Sequence, residues 1–204
     1  MTSLNDQITP LVFFDPQYDP VSKVCWNKKT PLAYQTEQEI NQFMQEIERI
    51  LEPNGYLCLW VNKWVLLEYR IQNWLKNVDK LKVVDVLAWN KDKLGMGARF
   101  RNQLEFLVLL QKFPYKVNFP DRRITNLWTE KINQKKHPHQ KPLQLLKRLI
   151  STLTQESDLI IDPCAGSFVS LTACQALNRN FLGCDLTITK LQEFYEKNYN
   201  KTNF

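Results

Sequence analysis

Phe13, Phe14, Asp15, Pro16, Gln17 and Tyr18 stand together near the start of the chain. An Asp at the end of an apolar run, a Pro-stiffened turn and an aromatic ring three residues later suit one chemical task. The carboxylate and a turn carbonyl can accept both protons of an amino group, while the ring stacks on a flat base. Base amino nitrogens are poor nucleophiles because their lone pair is delocalised into the ring. Accepting their protons pushes them toward tetrahedral geometry, and positioning against an electrophilic methyl does much of the rest. The same residues also suit an ordinary strand–turn with a core Tyr. A second group, Asp162-Pro163-Cys164-Ala165-Gly166-Ser167, is a tight glycine loop between an apolar run and a helix. Backbone N–H groups at such a helix start face ligands. The next strand ends at Asp185, about 20 residues beyond the loop, where a carboxylate accepts hydrogen bonds from ribose hydroxyls. The competing reading is a plain β–α turn whose Asp caps the next helix.

These groups need a scaffold, and the chain reads as an alternation of strands and helices. Residues 11–14 form a buried strand running into a loop. Thr36 and Glu39 make a capping box, and Ile40, Phe43, Ile47, Ile50 and Leu51 form one apolar helix face, stopped by Pro53-Asn54-Gly55. Strand 56–61, a helix over 64–75, a β-rich stretch at 81–89 and a strand at 105–111 follow. Residues 113–140 have little periodicity and read as a long loop. Lys141-Pro142 opens a helix reaching about Leu153, with Pro in the first turn. Strand 159–161, helix 169–177, strand 181–184 and a last helix over 189–198 complete the chain. This pattern predicts an α/β fold with a mostly parallel sheet, whose ligands sit outside the carboxyl ends of the strands. Asp15, Asp162 and Asp185 all follow strands at that edge.

Composition narrows the class. At 204 residues, with 44% hydrophobic and 24% charged, the chain reads as a single soluble globular domain over residues 1–204. It has no apolar run of the roughly 18 residues a membrane span needs, and its first ten residues do not read as a secretory signal. Five cysteines (Cys25, Cys58, Cys164, Cys174, Cys184) without C-x-x-C spacing argue against a disulfide framework or zinc site, and for the reducing cytoplasm. His137 and His139 flank Pro138 with no Cys or acidic residue nearby in sequence, so no metal is expected. The net charge is +6, yet residues 112–148 alone carry ten Lys or Arg against two acidic residues. That window holds +8, so everything else sums to −2. It reads either as a solvated face or as a polyanion site.

Taken together, the groups resemble a family: the β-group DNA amino-methyltransferases, which use S-adenosylmethionine (AdoMet). Asp15-Pro16-Gln17-Tyr18 is similar to their catalytic loop of Asp, Asn or Ser, then Pro-Pro, then an aromatic residue, at three of four positions. Asp162 to Ser167 looks like the D-P-F-x-G-S-G cofactor loop. Gly183-Cys184-Asp185 looks like the G-x-E/D ribose strand end, and His137-Pro138-His139-Gln140-Lys141-Pro142 looks like H-P-x-Q-K-P. All four occur in the family's order across nearly the whole chain. The resemblance implies a Rossmann-like AdoMet-dependent methyltransferase fold, with helices on both faces and a circularly permuted motif order. It implies that Asp15 and the Pro16 carbonyl hold the target amino group and that Tyr18 stacks on a base flipped out of duplex DNA. Gln17 completes this loop. Asp162, Pro163, Cys164, Ala165, Gly166, Ser167 and Phe168 would shape the AdoMet pocket. Asp185 would hold the ribose, Lys141 would lie near the methionine end, and Leu186 would meet the adenine beside Phe168. No catalytic role falls to Cys25 or Cys164.

Two departures stand out: Gln17 replaces the second Pro, and Phe168 replaces a second Gly. The additional strand that carries an acidic adenine contact in many relatives has no equivalent, Asp6 being a poor candidate. Target recognition falls in a small basic insertion at about 112–140, where Arg122, Arg123, Lys131, Lys135 and Lys136 would meet phosphates. Arg99, Phe100 and Arg101, on the glycine loop 95–102, would enter a groove or fill the space left by the flipped base; a solvated hairpin is the other reading. So small a recognition region implies a short site or a homodimer, and a small stand-alone methyltransferase is compatible with a restriction endonuclease encoded nearby or with a phage origin. The expected reaction is methylation of adenine N6. The alternatives are N4 of cytosine, an RNA or protein-glutamine acceptor, and a binding homologue without catalysis.

Overall fold

A computed structural model describes residues 1–18, 34–97, 99–133 and 139–185. The last helix expected from sequence, with Leu186, Lys135, Lys136 and His137, lies outside the described residues. Strand β1 (Thr9–Phe14) is apolar on both sides, and Leu11, Val12 and Phe14 are fully buried. That suits the centre of a parallel sheet covered on both faces. Helix α1 (Glu37–Ile50) starts at the Thr36–Glu39 capping box, with both reciprocal bonds in place. Its buried stripe is Ile40, Met44, Ile47 and Ile50, while Phe43 lies at the margin against the Phe14 ring, 5.3 Å away.

The chain then enters β2 (Leu51–Val61) without a turn. Pro53-Asn54-Gly55, expected to separate helix from strand, lies inside β2 as an irregularity. Pairing with β1 jumps from Thr9↔Leu51 to Leu11↔Tyr56, and Asn54 takes φ 65°. The extra residues are absorbed as a bulge. The helix expected over 64–75 is two short ones, α2 (Lys63–Leu67) and α3 (Arg70–Trp74), broken where Tyr69 adopts φ 55°. Strands β3 (Leu81–Asn90) and β4 (Leu104–Lys112) form an antiparallel hairpin. Within the expected long loop, β5 (Leu127–Thr129) pairs parallel with the end of β3. Three residues are too few to show a period. Helix α4 (Leu143–Leu153), β6 (Leu159–Asp162), α5 (Val169–Ala176) and β7 (Asn180–Gly183) complete the described fold.

The seven strands form one sheet in the order β5-β3-β4-β2-β1-β6-β7, with β4 alone antiparallel to its neighbours. Helices α1 and α3 cover one face, α4 and α5 the other, each over its own apolar core. The chain leaves β1 toward β2 on one side and leaves β6 toward β7 on the other. A crevice therefore opens at the carboxyl ends of β1 and β6, the place where ligands bind in open α/β sheets. Asp15 follows β1 and Asp162 ends β6, so two motifs nearly 150 residues apart become neighbours. Asp6 lies elsewhere, paired with Arg49 near the end of α1 at 2.6 Å. No described helix is long and apolar enough to cross a membrane.

Ile47 is wholly buried under the sheet. Ile47→Ala should lower unfolding free energy by about 2–5 kcal/mol through lost burial and a residual cavity, read from urea titration with an unchanged m-value.

Candidate active site

The site forms around one buried ammonium group. Lys141, just before α4, sends its Nζ to Asp15 Oδ2 at 2.8 Å and also to the Glu105 carboxylate. The same Nζ lies 5.0 Å from the centre of the Trp60 ring. Glu105, the second residue of β4, holds Lys91 at 2.6 Å with its other oxygen. Burial alone would lower the Lys141 pKa, but the two carboxylates outweigh it and hold it above its usual value. Burial raises Glu105, and Lys141 and Lys91 more than reverse that, leaving it at about 2. For Asp15 burial wins: its carboxyl sits above the usual range although Lys141 pulls it down. Helix α4 is set by Glu130, whose oxygens accept the Gln144 and Leu145 N–H groups at 3.0 and 3.1 Å and stand in for the missing side-chain cap.

Across the crevice lies the loop after β6. Asp162 is buried, and its oxygens accept from Cys164 N–H at 3.2 Å and the Ser170 hydroxyl at 2.5 Å. Burial pushes this carboxyl up to about 7 against the pull of those two bonds. Asp162 therefore shapes the loop from within. Gly166 takes φ +51°, and nothing lies within 4 Å of where its Cβ would stand. Its N–H donates to Asp185 Oδ2 at 3.0 Å, bringing Asp185 to the loop across β7. Phe168 also has a left-handed backbone, φ 54°, which explains why glycine suits that position. Its ring is buried with Ala165 and Leu171 and meets Phe181 edge-on at 6.4 Å. A cleft lies between the two sides, lined by Asp15, Trp60 and Lys141 on one and by Cys164, Gly166 and Ser167 on the other.

Tyr18 is half-buried. Its hydroxyl accepts the Asn62 N–H at 2.8 Å, and its ring packs beside Trp74 with the Arg70 guanidinium 5.4 Å from its centre. Pro16 is buried and Gln17 is exposed. Glu105, Trp60, Asn62 and Gln35 were not singled out in the sequence. A lone Glu or Trp within a strand carries no spacing signal, and only sheet pairing brings them to the edge.

The described residues of the basic window do not form one face. Lys112 turns inward to the Leu51 carbonyl at 2.6 Å, Lys141 is in the site, and Arg148 pairs with Asp121 at 2.5 Å. Arg122 and Arg123 are exposed beside Asp121, which pairs with Arg148 midway along α4. The loop carrying Arg99, Phe100 and Arg101 does rise from the carboxyl edge, between β3 and β4, and Phe100 is 86% exposed. Lys63 clasps this loop through Asn102 Oδ1 at 3.0 Å. The thiols of Cys58, Cys164, Cys174 and Cys184 are free. Among the described residues no His, Cys, Asp and Glu cluster could hold a metal.

Residues 10–196 match the DNA methylase family of N6/N4 methyltransferases. The chain belongs to that family. It is 43% identical over 192 residues to the type II methyltransferase M.HhaII of Haemophilus parahaemolyticus, covering 89% of this chain and 84% of that protein. Over 77 residues, 37% of this chain and 24% of the relative, it is 40% identical to the DNA adenine methyltransferase YhdJ of Escherichia coli K12. In fold it is similar to the crystal structure of an M1.HpyAVI–SAM complex, with a TM-score of 0.67, 22% identity and coverage of 96% and 90%. The methylase thus has the fold expected from its sequence and takes its methyl group from AdoMet.

A protonated Asp162 binds one proton more in the folded chain than in the unfolded chain between about pH 4 and 7. Stability should therefore fall as pH rises from 5 to 7. Asp162→Asn, measured by urea titration across that range, should show a shallower fall.

Proposed function

We propose that the enzyme methylates N6 of an adenine turned out of duplex DNA, with Asp15, the Pro16 carbonyl and Tyr18 as the trap for the base. The carrying observation is the shared cleft, with Asp15 on one wall and Cys164, Gly166 and Ser167 on the other. The cofactor loop suits an adenosyl group. Gly166 leaves open space where a side chain would stand, its N–H borders the cleft, and Asp185 lies within reach for a ribose. AdoMet supplies a methyl group on a sulfonium. The residues of the chain supply position and electrostatics. Asp15 accepts one amino proton and the Pro16 carbonyl the other, so the nitrogen lone pair is turned out of the ring plane. Lys141 fixes the Asp15 carboxylate from behind, and Trp60 keeps water from that side of Lys141. Tyr18, held by the Asn62 N–H and backed by Trp74, offers an immobile ring for stacking.

Asp at the head of the loop favours adenine over cytosine, and the name of the YhdJ relative supports the same base. DNA would meet the carboxyl edge, where Lys63, Lys93, Arg99, Arg101 and Lys131 stand near the exposed Phe100. Arg122 and Arg123 would reach only outlying phosphates. The type II naming of the relatives supports a role beside a restriction endonuclease.

Transfer of labelled methyl from AdoMet to mixed-sequence duplex DNA, followed by nucleoside mass spectrometry, should yield N6-methyladenine. N4-methylcytosine would overturn the base, and unlabelled DNA would overturn the reaction. Asp15→Ala should cut transfer by at least about a hundredfold while calorimetric AdoMet affinity stays near wild type. Asp185→Ala should weaken AdoMet more than about tenfold, in line with roughly 1.5–3 kcal/mol for charge-assisted ribose bonds. Unchanged affinity would remove Asp185 from the pocket.

A further inference from the structure

The catalytic loop has a residue where a second proline ring is expected, and the structure contains what compensates for it. Gln17 N–H donates to Gln35 Oε1 at 2.8 Å. Gln35 N–H donates back to the Gln17 carbonyl, also at 2.8 Å. The two bonds make a closed clamp, and Tyr18 and Gln35 form a parallel bridge at the same place. The far end of the Gln35 side chain reaches Cys164 Sγ at 4.0 Å, so this one residue touches both the catalytic and the cofactor loop. Its own position is secured because the next residue, Thr36, is the N-cap of α1. Proline at position 17 would have no N–H to give, so the clamp exists only because the ring is absent.

We propose that Gln35 is the positioning residue of the Asp-Pro-Gln-Tyr loop, supplying through its side-chain amide the rigidity that a proline ring at position 17 would otherwise provide. The proposal rests on the reading that Asp15 and Tyr18 hold the target base. A ring fixes φ covalently, whereas Gln17 is held from outside by an acceptor 18 residues further along the chain. The purpose is the same in both designs. Asp15 and Tyr18 flank this position, and loss of stiffness between them would let the carboxylate and the ring drift relative to each other. Displacements of that kind act on the chemical step more than on cofactor binding. Gln17 has a negative φ, the sign proline requires, so the ring can be tested at this site.

The test uses the full chain with duplex DNA and AdoMet. Gln35→Ala should lower kcat by roughly tenfold to a hundredfold, with AdoMet affinity by calorimetry within about twofold of wild type. Adding Gln17→Pro to Gln35→Ala should restore kcat to within about threefold of wild type, because the ring replaces the lost acceptor. Gln17→Pro alone should also stay within about threefold, having exchanged one restraint for the other. A Gln35→Ala enzyme with wild-type kcat would overturn the proposal. So would a double variant as slow as Gln35→Ala, since that loss would come from general damage and not from a slack loop. Asp15→Ala separates the two levels. If it still transfers methyl groups, the reading of the loop fails, whatever the Gln35 pair shows.

Discussion

A buried ammonium group must be paired, and Lys141 is paired twice. Removing either carboxylate would leave the buried Lys141 with charge uncompensated, which is costlier than leaving an exposed pair unmade. The need to satisfy Lys141 draws together the end of β1, the start of β4 and the approach to α4, which are remote in sequence. Glu105 is held in turn by Lys91 at the end of β3, so the charge chain spans four neighbouring strands of the sheet from β1 to β3. The Asp15 carboxylate is thus held by the architecture of the whole sheet edge.

The opposite wall is built on a different principle. Among the described residues, no ion pair holds the loop after β6. Asp162 binds one backbone N–H and one hydroxyl, and its carboxyl, pushed up to about 7 by burial, acts as an internal strut. Left-handed backbone at Gly166 and Phe168 turns the chain sharply, and their N–H groups donate within the wall, to Asp185 Oδ2 at 3.0 Å and to the Ala165 carbonyl at 2.8 Å. At position 168 a glycine would adopt this geometry freely. The phenylalanine accepts the strain and returns it as burial against Leu171 and Phe181. A departure in this loop is therefore absorbed by the core, just as the departure at Gln17 is met by an outside acceptor.

Charge shows most plainly where sequence reasoning reaches its limit. Residues 112–148 read as one basic block, and the fold disperses the described ones. Lys112 caps carbonyl groups at the foot of the sheet, Lys141 enters the site, and Arg148 is tied to Asp121. Even the two acidic residues of the block have internal tasks, Glu130 capping α4 and Asp121 holding Arg148 and Arg123. Among the described residues, Lys93 and Lys131 line one hollow beside Asn102, to which Lys63 donates, and these lysines come from separate segments that no window of the sequence could collect.

The sequence alone determined the strands and helices with strong periodicity, the capping box at Thr36, and both loops that line the cleft. Each is local: apolar spacing, a cap, or a short run of residue types acts over a few neighbouring positions. It also determined the family, because four such runs occur in one order. Only the tertiary structure decided the rest. The break at Tyr69, the bulge at Asn54 and the three-residue β5 depend on what each segment packs against. Glu105, Trp60, Asn62 and Gln35 enter the site through sheet pairing and long-range hydrogen bonds. Their meaning is a matter of distance in space, and a sequence records distance only along the chain.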